Sequence, residues 1–208
     1  MRWTIAQWFE KRWWKRYLKN RSVEDYLEWK KSYWKKFLST MQLDIPIYAR
    51  ILDAGCGPAG IFIALQGKVT ACDPLLLSYE KLPHFSIRQY PNVDFKAITI
   101  ESLPFDSAYD MVFCLNVINH VQDMRASLDA LIKAMDHNAQ LIISIDCHNW
   151  RFFKWLFRLI PMDILHPHQF DLNDYAALLT ARGLKMNRTM KLESGFFFDY
   201  YVLICEKP

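Results

Sequence analysis

Residues 50–60 read Arg50-Ile51-Leu52-Asp53-Ala54-Gly55-Cys56-Gly57-Pro58-Ala59-Gly60, a short apolar run closed by an aspartate and followed by a glycine-rich turn. Three of the chain's six glycines fall in that turn, and this concentration limits what the segment can be. Gly55 and Gly57 let a strand end in a tight turn whose amides approach a ligand with no β-carbon in the way, and Gly60 lets a following helix pack close to the strand. Pro58, with its fixed φ and missing N–H, suits the first turn of that helix. The segment reads as a nucleotide-type cradle.

Two cofactor classes use such a cradle. As G-x-G-x-x-G it is a dinucleotide fingerprint, and Asp73, eighteen residues after Gly55, stands near the spacing of a ribose-holding acid. As D-x-G-x-G-x-x-G it resembles the first motif of the class I S-adenosylmethionine-dependent methyltransferases. Asp53 favours the second reading. Its carboxylate repels a pyrophosphate and attracts the ammonium and sulfonium of a methionine moiety.

A chain of 208 residues holds one well-buried domain with room for an appendage. Its net charge of +4 describes neither part. Residues 1–40 hold eleven basic against four acidic side chains and six of the eight tryptophans, while the rest holds fifteen basic against eighteen acidic. The basicity therefore belongs to an N-terminal segment, which divides the chain into a helical cap over 1–45 and a cofactor-binding domain over 46–208. Cys56, Cys72, Cys114, Cys147 and Cys205 are odd in number, lack C-x-x-C spacing and sit in or beside apolar runs. They read as buried reduced thiols of a cytoplasmic protein, not as a disulfide framework or a zinc site. The chain has no run of 18 apolar residues and its N-terminus has no clean apolar core of a signal peptide, so neither a spanning helix nor a secretory signal is expected.

Residues 3–20 have helical spacing, with Ile5, Trp8, Phe9, Trp13, Tyr17 and Leu18 on roughly one side. A second helix starts at Ser22, a hydroxyl cap followed by Glu24 and Asp25, and carries Val23, Tyr26, Leu27, Trp34, Phe37 and Leu38 on one face. Residues 44–48, with Pro46, form the joint. From there strand and helix alternate: strands over 50–54, 68–72, 93–98, 111–115 and 140–145, helices over 61–65, 121–135 and 171–181, and two last β-rich runs over 185–193 and 197–205 that pair as an antiparallel edge hairpin.

This order resembles the class I methyltransferase fold over most of residues 48–208. Ala71-Cys72-Asp73-Pro74 resembles the family's second-strand end, and Ser102-Leu103-Pro104-Phe105-Asp106 through Tyr109-Asp110-Met111-Val112 its "L-P-F … F-D-x-V" segment. Asn116-Val117-Ile118-Asn119-His120-Val121 is similar to the loop after strand four, and His168-Gln169-Phe170 with Gly183-Leu184 to the late helix. The fold expected is α/β and Rossmann-like, a mostly parallel seven-stranded sheet with an antiparallel C-terminal hairpin and added N-terminal helices. A dehydrogenase of the dinucleotide type normally needs a second half, which the terminal hairpin replaces.

The resemblance implies S-adenosyl-L-methionine as cofactor and assigns its contacts. Gly55, Cys56, Gly57 and Gly60 would hold the amino-acid end beside Asp53, Asp73 with Pro74 would take both ribose hydroxyls, Ile100 would offer its amide to adenine, and Asn116 would lie near the transferred methyl. An aspartate commonly found one residue before that amide is Thr99 here, which accepts without charge. Methyl transfer depends chiefly on positioning, and a base is optional. His120 and His148 are the first candidates for one, ahead of His166 and His168, whose H-x-H spacing lacks a third metal ligand in register.

Residues 150–160 form a second basic, aromatic stretch, with Arg151, Lys154 and Arg158 at i, i+3 and i+7. With the N-terminal helices it is expected to cover a pocket for a small, apolar or lipid-like acceptor and to touch an anionic membrane surface, peripherally on its inner face. Nucleic acid ranks below a small molecule as partner, because residues 41–208 are acidic and Asn116-Val117-Ile118-Asn119 is not an N-P-P-Y-type loop. Against the enzyme stand two alternatives, an RNA methyltransferase and a scaffold protein whose cofactor site is impaired at Thr99.

Overall fold

The computed structural model describes residues 2–104, 106–148, 170–195 and 198–208. The strands are β1 (Arg50–Ala54), β2 (Lys68–Cys72), β3 (Val93–Lys96), β4 (Tyr109–Cys114), β5 (Met135–His148), β6 (Lys185–Ser194) and β7 (Phe198–Glu206). They make one sheet in the order β3-β2-β1-β4-β5-β7-β6. The first five are parallel, and β7 runs antiparallel between β5 and β6. Strand order reverses between β1 and β4, which opens a crevice at their carboxyl ends.

The central strands have core on both faces. In β1, Ile51, Leu52 and Ala54 are fully buried, as a parallel strand covered on two sides requires. One face packs on Trp34, Phe37 and Met41 of helix α2 (Val23–Met41) together with Phe62 and Phe85. The other packs on Leu128 and Leu131 of α4 (Met124–Ala134) and on Tyr175 and Leu179 of α5 (Leu172–Thr180). A short helix, α3 (Leu76–Tyr79), follows β2. At the end of the sheet remote from the crevice, Arg50 clamps Asp110 at 2.5 Å and Asp136 at 2.6 Å, tying β1 to β4 and β5.

Helix α2 begins where its sequence places it. Ser22 Oγ accepts from the amide of Asp25, with Glu24 and Asp25 in the first turn. Its mid-point is fixed to the glycine turn, because the Trp34 indole N–H donates to the carbonyl of Ala59 at 2.9 Å. The preceding helix, α1 (Arg2–Leu18), differs from expectation in its faces. Ile5, Trp8, Phe9 and Trp13 are exposed, from 42% to 54%, whereas Trp3, Ala6, Gln7, Glu10 and Trp14 face the crevice. Aromatic residues on both sides of the helix hide which side is inward, and the docking of Trp14 and Leu18 decides it.

Three local readings need correction. The segment over 61–65 is a 3-10 turn, Ile61–Ala64, which starts after Gly60. Pro58 therefore lies in the loop and not in a helix. Only three residues separate this turn from β2, too few for a helical crossover to continue. Helix α4 starts at Met124, not at 121, because the Asp123 carboxylate accepts from the amides of Arg125 and Ala126 and sets the cap there. Strand β5 reaches His148, well past 145, because β7 pairs with it from Gln140 to His148. Residues 150–160, His166 and His168 lie outside the described residues.

Trp34 joins the α2 core to the glycine turn, so Trp34→Ala should cost about 3–5 kcal/mol of stability. Urea unfolding followed by circular dichroism measures this loss. A cost below about 1 kcal/mol would mean that α2 docks without its indole anchor.

Candidate functional site

The turn after β1 is built by backbone conformation. Gly55 (φ +74) and Gly57 (φ +56) occupy the left-handed region, where a β-carbon is strained. The amides of Gly55 and Cys56 both donate to the carbonyl of Cys72, at 2.7 and 3.0 Å, and draw the turn across to the end of β2. Gly60 is extended, and its role is close approach. A β-carbon there would stand 2.4 Å from the Cys56 carbonyl oxygen and 2.6 Å from Asp53 Oδ2. Gly60 thus fits against the aspartate of its own motif.

The two aspartates hold the turn in place. Asp53 Oδ2 accepts from the amide of Phe62 at 3.0 Å, and so caps the 3-10 turn. Asp73 Oδ1 accepts from Leu75 N at 2.8 Å and Oδ2 from Gly57 N at 3.0 Å. Each carboxylate oxygen has two acceptor sites, so Asp73 keeps capacity for ligand hydroxyls while it fixes the loop. Burial is the main reason that both carboxyls are raised to about 7; at Asp73 the charge of Glu10 adds to it. Burial also pushes the Cys56 thiol well up, which makes it an uncharged part of the wall.

Glu10, Trp14, Lys30, Tyr33 and Trp34 are members of the site that the sequence does not single out. All line a cavity of about 490 Å³ with Asp53, Gly55, Cys56, Gly57, Gly60, Asp73, Pro74, Thr99, Ile100, Asn116 and His120. That volume is in the range of small-ligand sites. Glu10 Oε1 accepts from the Tyr79 hydroxyl at 3.0 Å, and burial raises its carboxyl. One signal was visible: Glu10 is the sole acid of α1, surrounded in sequence by cations.

The other anticipated residues divide. Thr99 and Ile100 stand side by side in the cavity wall, with Thr99 Oγ1 donating to Ser102 Oγ at 3.1 Å and its lone pairs free to accept. Asn116 has φ +58, and its amide donates to Ser144 Oγ at 2.7 Å. Asn119 accepts from the Tyr175 hydroxyl and points into the core. The backbone of His148 ends β5 opposite Phe198, and its side chain lies outside the described residues. Among the described residues no group of three or more His, Cys, Asp or Glu forms a metal-holding cluster.

This donor set suits S-adenosylmethionine. Buried carboxylates would meet its ammonium, sulfonium and ribose hydroxyls, and Gly57 presents only a backbone to the cavity. When Asp53 and Asp73 are folded they bind protons more tightly than when unfolded, being raised from 3.8 to about 7. The unliganded protein should therefore lose stability as pH climbs from about 4 to about 7, on the order of 2–4 kcal/mol. Thermal unfolding between pH 5 and 8 tests the sign. Asp73→Asn should flatten the slope, and a melting temperature rising over this interval would refute the assignment.

Known proteins resemble this chain in sequence and fold. The chain is 37% identical over 97 residues to a ubiquinone biosynthesis O-methyltransferase of Rickettsia conorii, covering 45% of this chain and 34% of that protein. To the protein of the same name from Rhodopseudomonas palustris it is 26% identical over 133 residues, 59% of this chain and 51% of the other. The chain thus spans about a third to a half of the length of these relatives. Magnesium protoporphyrin IX methyltransferase from Synechocystis, solved with bound S-adenosylhomocysteine, superposes over 100% of both chains with a TM-score of 0.69 at 19% identity. The 1,6-didemethyltoxoflavin-N1-methyltransferase of Burkholderia thailandensis, with its substrate and S-adenosylhomocysteine, covers 98% of this chain and 89% of its own with a TM-score of 0.66 at 15% identity. The methyltransferase domain family matches residues 26–188, and this chain belongs to that family of S-adenosylmethionine-dependent enzymes.

Proposed function

We propose that the protein transfers a methyl group from S-adenosylmethionine to a hydroxyl of a small apolar acceptor, working at an anionic membrane surface. The observation that carries the reading is the aromatic build of α1 on both its sides. Inward, Trp3 and Trp14 join Tyr33 and Trp34 of α2 to wall the cavity together with Val117 and Val121. Outward, Ile5, Trp8, Phe9 and Trp13 form an exposed apolar stripe, with Trp29 of α2 exposed as well. Arg12, Lys15, Arg16 and Lys19 are also exposed, and the Arg12 guanidinium lies 5.5 Å from the Trp8 ring centre. Such a face has the composition of a helix that lies in a membrane interface, its rings at the acyl boundary and its cations among anionic headgroups. None of the described helices is long and apolar enough to cross a membrane.

The chemistry asks little of the protein beyond placement. The bound cofactor supplies a methyl carbon made electrophilic by its cationic sulfur. Asp53, Asp73 and the turn from Gly55 to Gly57 would hold that cofactor, and transfer to a hydroxyl would release one proton from the acceptor. The aromatic wall keeps water from competing for the methyl. His120 lines the cavity next to Val121 and is the group we assign to take the hydroxyl proton. The relatives' name, ubiquinone biosynthesis O-methyltransferase, supports oxygen as the receiving atom.

Transfer of a radiolabelled methyl from the cofactor into the organic-soluble fraction of a membrane lipid extract tests the activity. Asp73→Ala should weaken cofactor binding at least roughly 100-fold, since two charge-assisted hydrogen bonds are lost, and should abolish transfer. Near-normal affinity in that variant would overturn the ribose assignment. For the membrane, co-sedimentation with phosphatidylglycerol-containing vesicles should be strong at low salt and weaker at moderate salt. Replacing Trp8 and Phe9 together by serine should reduce it severalfold, and absence of binding at both salt levels removes the membrane from the proposal.

A further inference from the structure

Lys30 is out of keeping with the rest of the cavity. Among the described residues that line it, four are acidic, Glu10, Asp53, Asp73 and Glu101, and Lys30 is the one lysine or arginine. The neighbouring Lys31, Lys35 and Lys36 are exposed, while Lys30 is half-buried. Its Nζ lies 5.3, 5.2 and 5.5 Å from the ring centres of Trp29, Tyr33 and Trp34. Among the described residues no carboxylate stands within the 4.0 Å of an ion pair with it, although four carboxylates share its cavity.

The cavity therefore has two poles. The acidic pole is the floor at the ends of β1 and β2 together with Glu10. The cationic pole is the face of α2 at Lys30. Trp34, one helical turn further on and on the same face, is hydrogen-bonded to Ala59 of the glycine turn, so Lys30 overhangs that turn. Three aromatic faces stabilise an ammonium while keeping acidic side chains off it. Withdrawing a lysine from water is costly, and burial does lower the basicity of Lys30. Ring faces offset part of that cost, and an anion delivered by a ligand would offset the remainder.

We infer that Lys30 is the binding point for a carboxylate on a ligand in this cavity, held between α2 and the glycine turn. Two ligands offer that group: the cofactor, through its amino-acid end, or an acceptor with an acidic ring substituent. The inference rests on the methyltransferase reading of the cavity. The variant that tests it is Lys30→Met, which keeps the unbranched stem against the rings and removes only the charge. Titration calorimetry with S-adenosylhomocysteine, which has the amino-acid end, and with methylthioadenosine, which lacks it, separates the first source. Steady-state methylation of protocatechuate and of catechol, alike except for a carboxylate, separates the second.

If the cofactor supplies the anion, Lys30→Met weakens S-adenosylhomocysteine roughly 10- to 100-fold, leaves methylthioadenosine unchanged, and Lys30→Arg restores binding. If the acceptor supplies it, both adenosine ligands bind as before while KM rises for protocatechuate and not for catechol. Equal weakening of both adenosine ligands signals damage to the pocket and overturns the inference, as does a variant that matches the wild type in all four measurements. Failure of the wild type itself to bind S-adenosylhomocysteine overturns the cofactor reading and this inference with it. Normal wild-type binding with an unchanged variant overturns the inference alone.

Discussion

The structure around the crevice depends on one buried carboxylate accepting from two backbone amides. Asp73, at the end of β2, takes the Gly57 amide from the turn after β1 and the Leu75 amide from its own turn. That pair of bonds fixes the glycine turn to the neighbouring strand, and the turn in turn receives α2 through the carbonyl of Ala59. The bonds are also what make a carboxylate tolerable there. A carboxylate withdrawn from water without donors is expensive, and at 7% exposure Asp73 has little water to call on. Even with two donors its carboxyl is raised to about 7. The site is thus held in a charge state that a cationic, hydroxyl-rich ligand relieves.

The same electrostatic imbalance opposes the position in which α1 packs. Glu10 brings another carboxylate towards Asp73, an arrangement that costs energy while no cation separates them. Tyr79 donates to Glu10 and anchors it, and the edge-on contact of Trp14 with Tyr79 holds the helix over the turn. Packing of rings therefore opposes repulsion of carboxylates across the same few ångströms. A ligand with positive charge would relieve that repulsion.

Much of the fold was legible because each signal was local. The glycine turn, the period-two and unbroken apolar runs of the strands, and the cap at Ser22 all act within a few residues, and the structure has them in place. Errors came where a distant partner sets the outcome. The length of β5 is fixed by β7, more than fifty residues later in sequence. The inward face of α1 was half legible: Tyr17 and Leu18 pack inward with the apolar side that periodicity gave, but Ile5, Trp8, Phe9 and Trp13 of that side are exposed, because tryptophans occupy both sides. The Asp123 cap was readable and was missed, since the apolar run starting at Val121 outweighed it.

The candidate site divides along the same line. Residues that bind through a backbone turn announce themselves, because left-handed conformations and close approach demand glycine at fixed spacing. Gly55, Gly57, Gly60 and Asp73 were found in this way. Glu10 and Lys30 belong to helices that reach the cavity from above, and no spacing rule connects them to a turn twenty or more residues away. What marks Glu10 in the sequence is only contrast, one acid in a basic helix, while Lys30 stands beside Lys31 between Trp29 and Tyr33 and only the fold tells the two apart. In the fold that contrast becomes geometry. The acid stands at the acidic pole and the lysine at the other, so the cap is not a passive cover: it supplies charge of both signs to a cavity whose floor supplies only one.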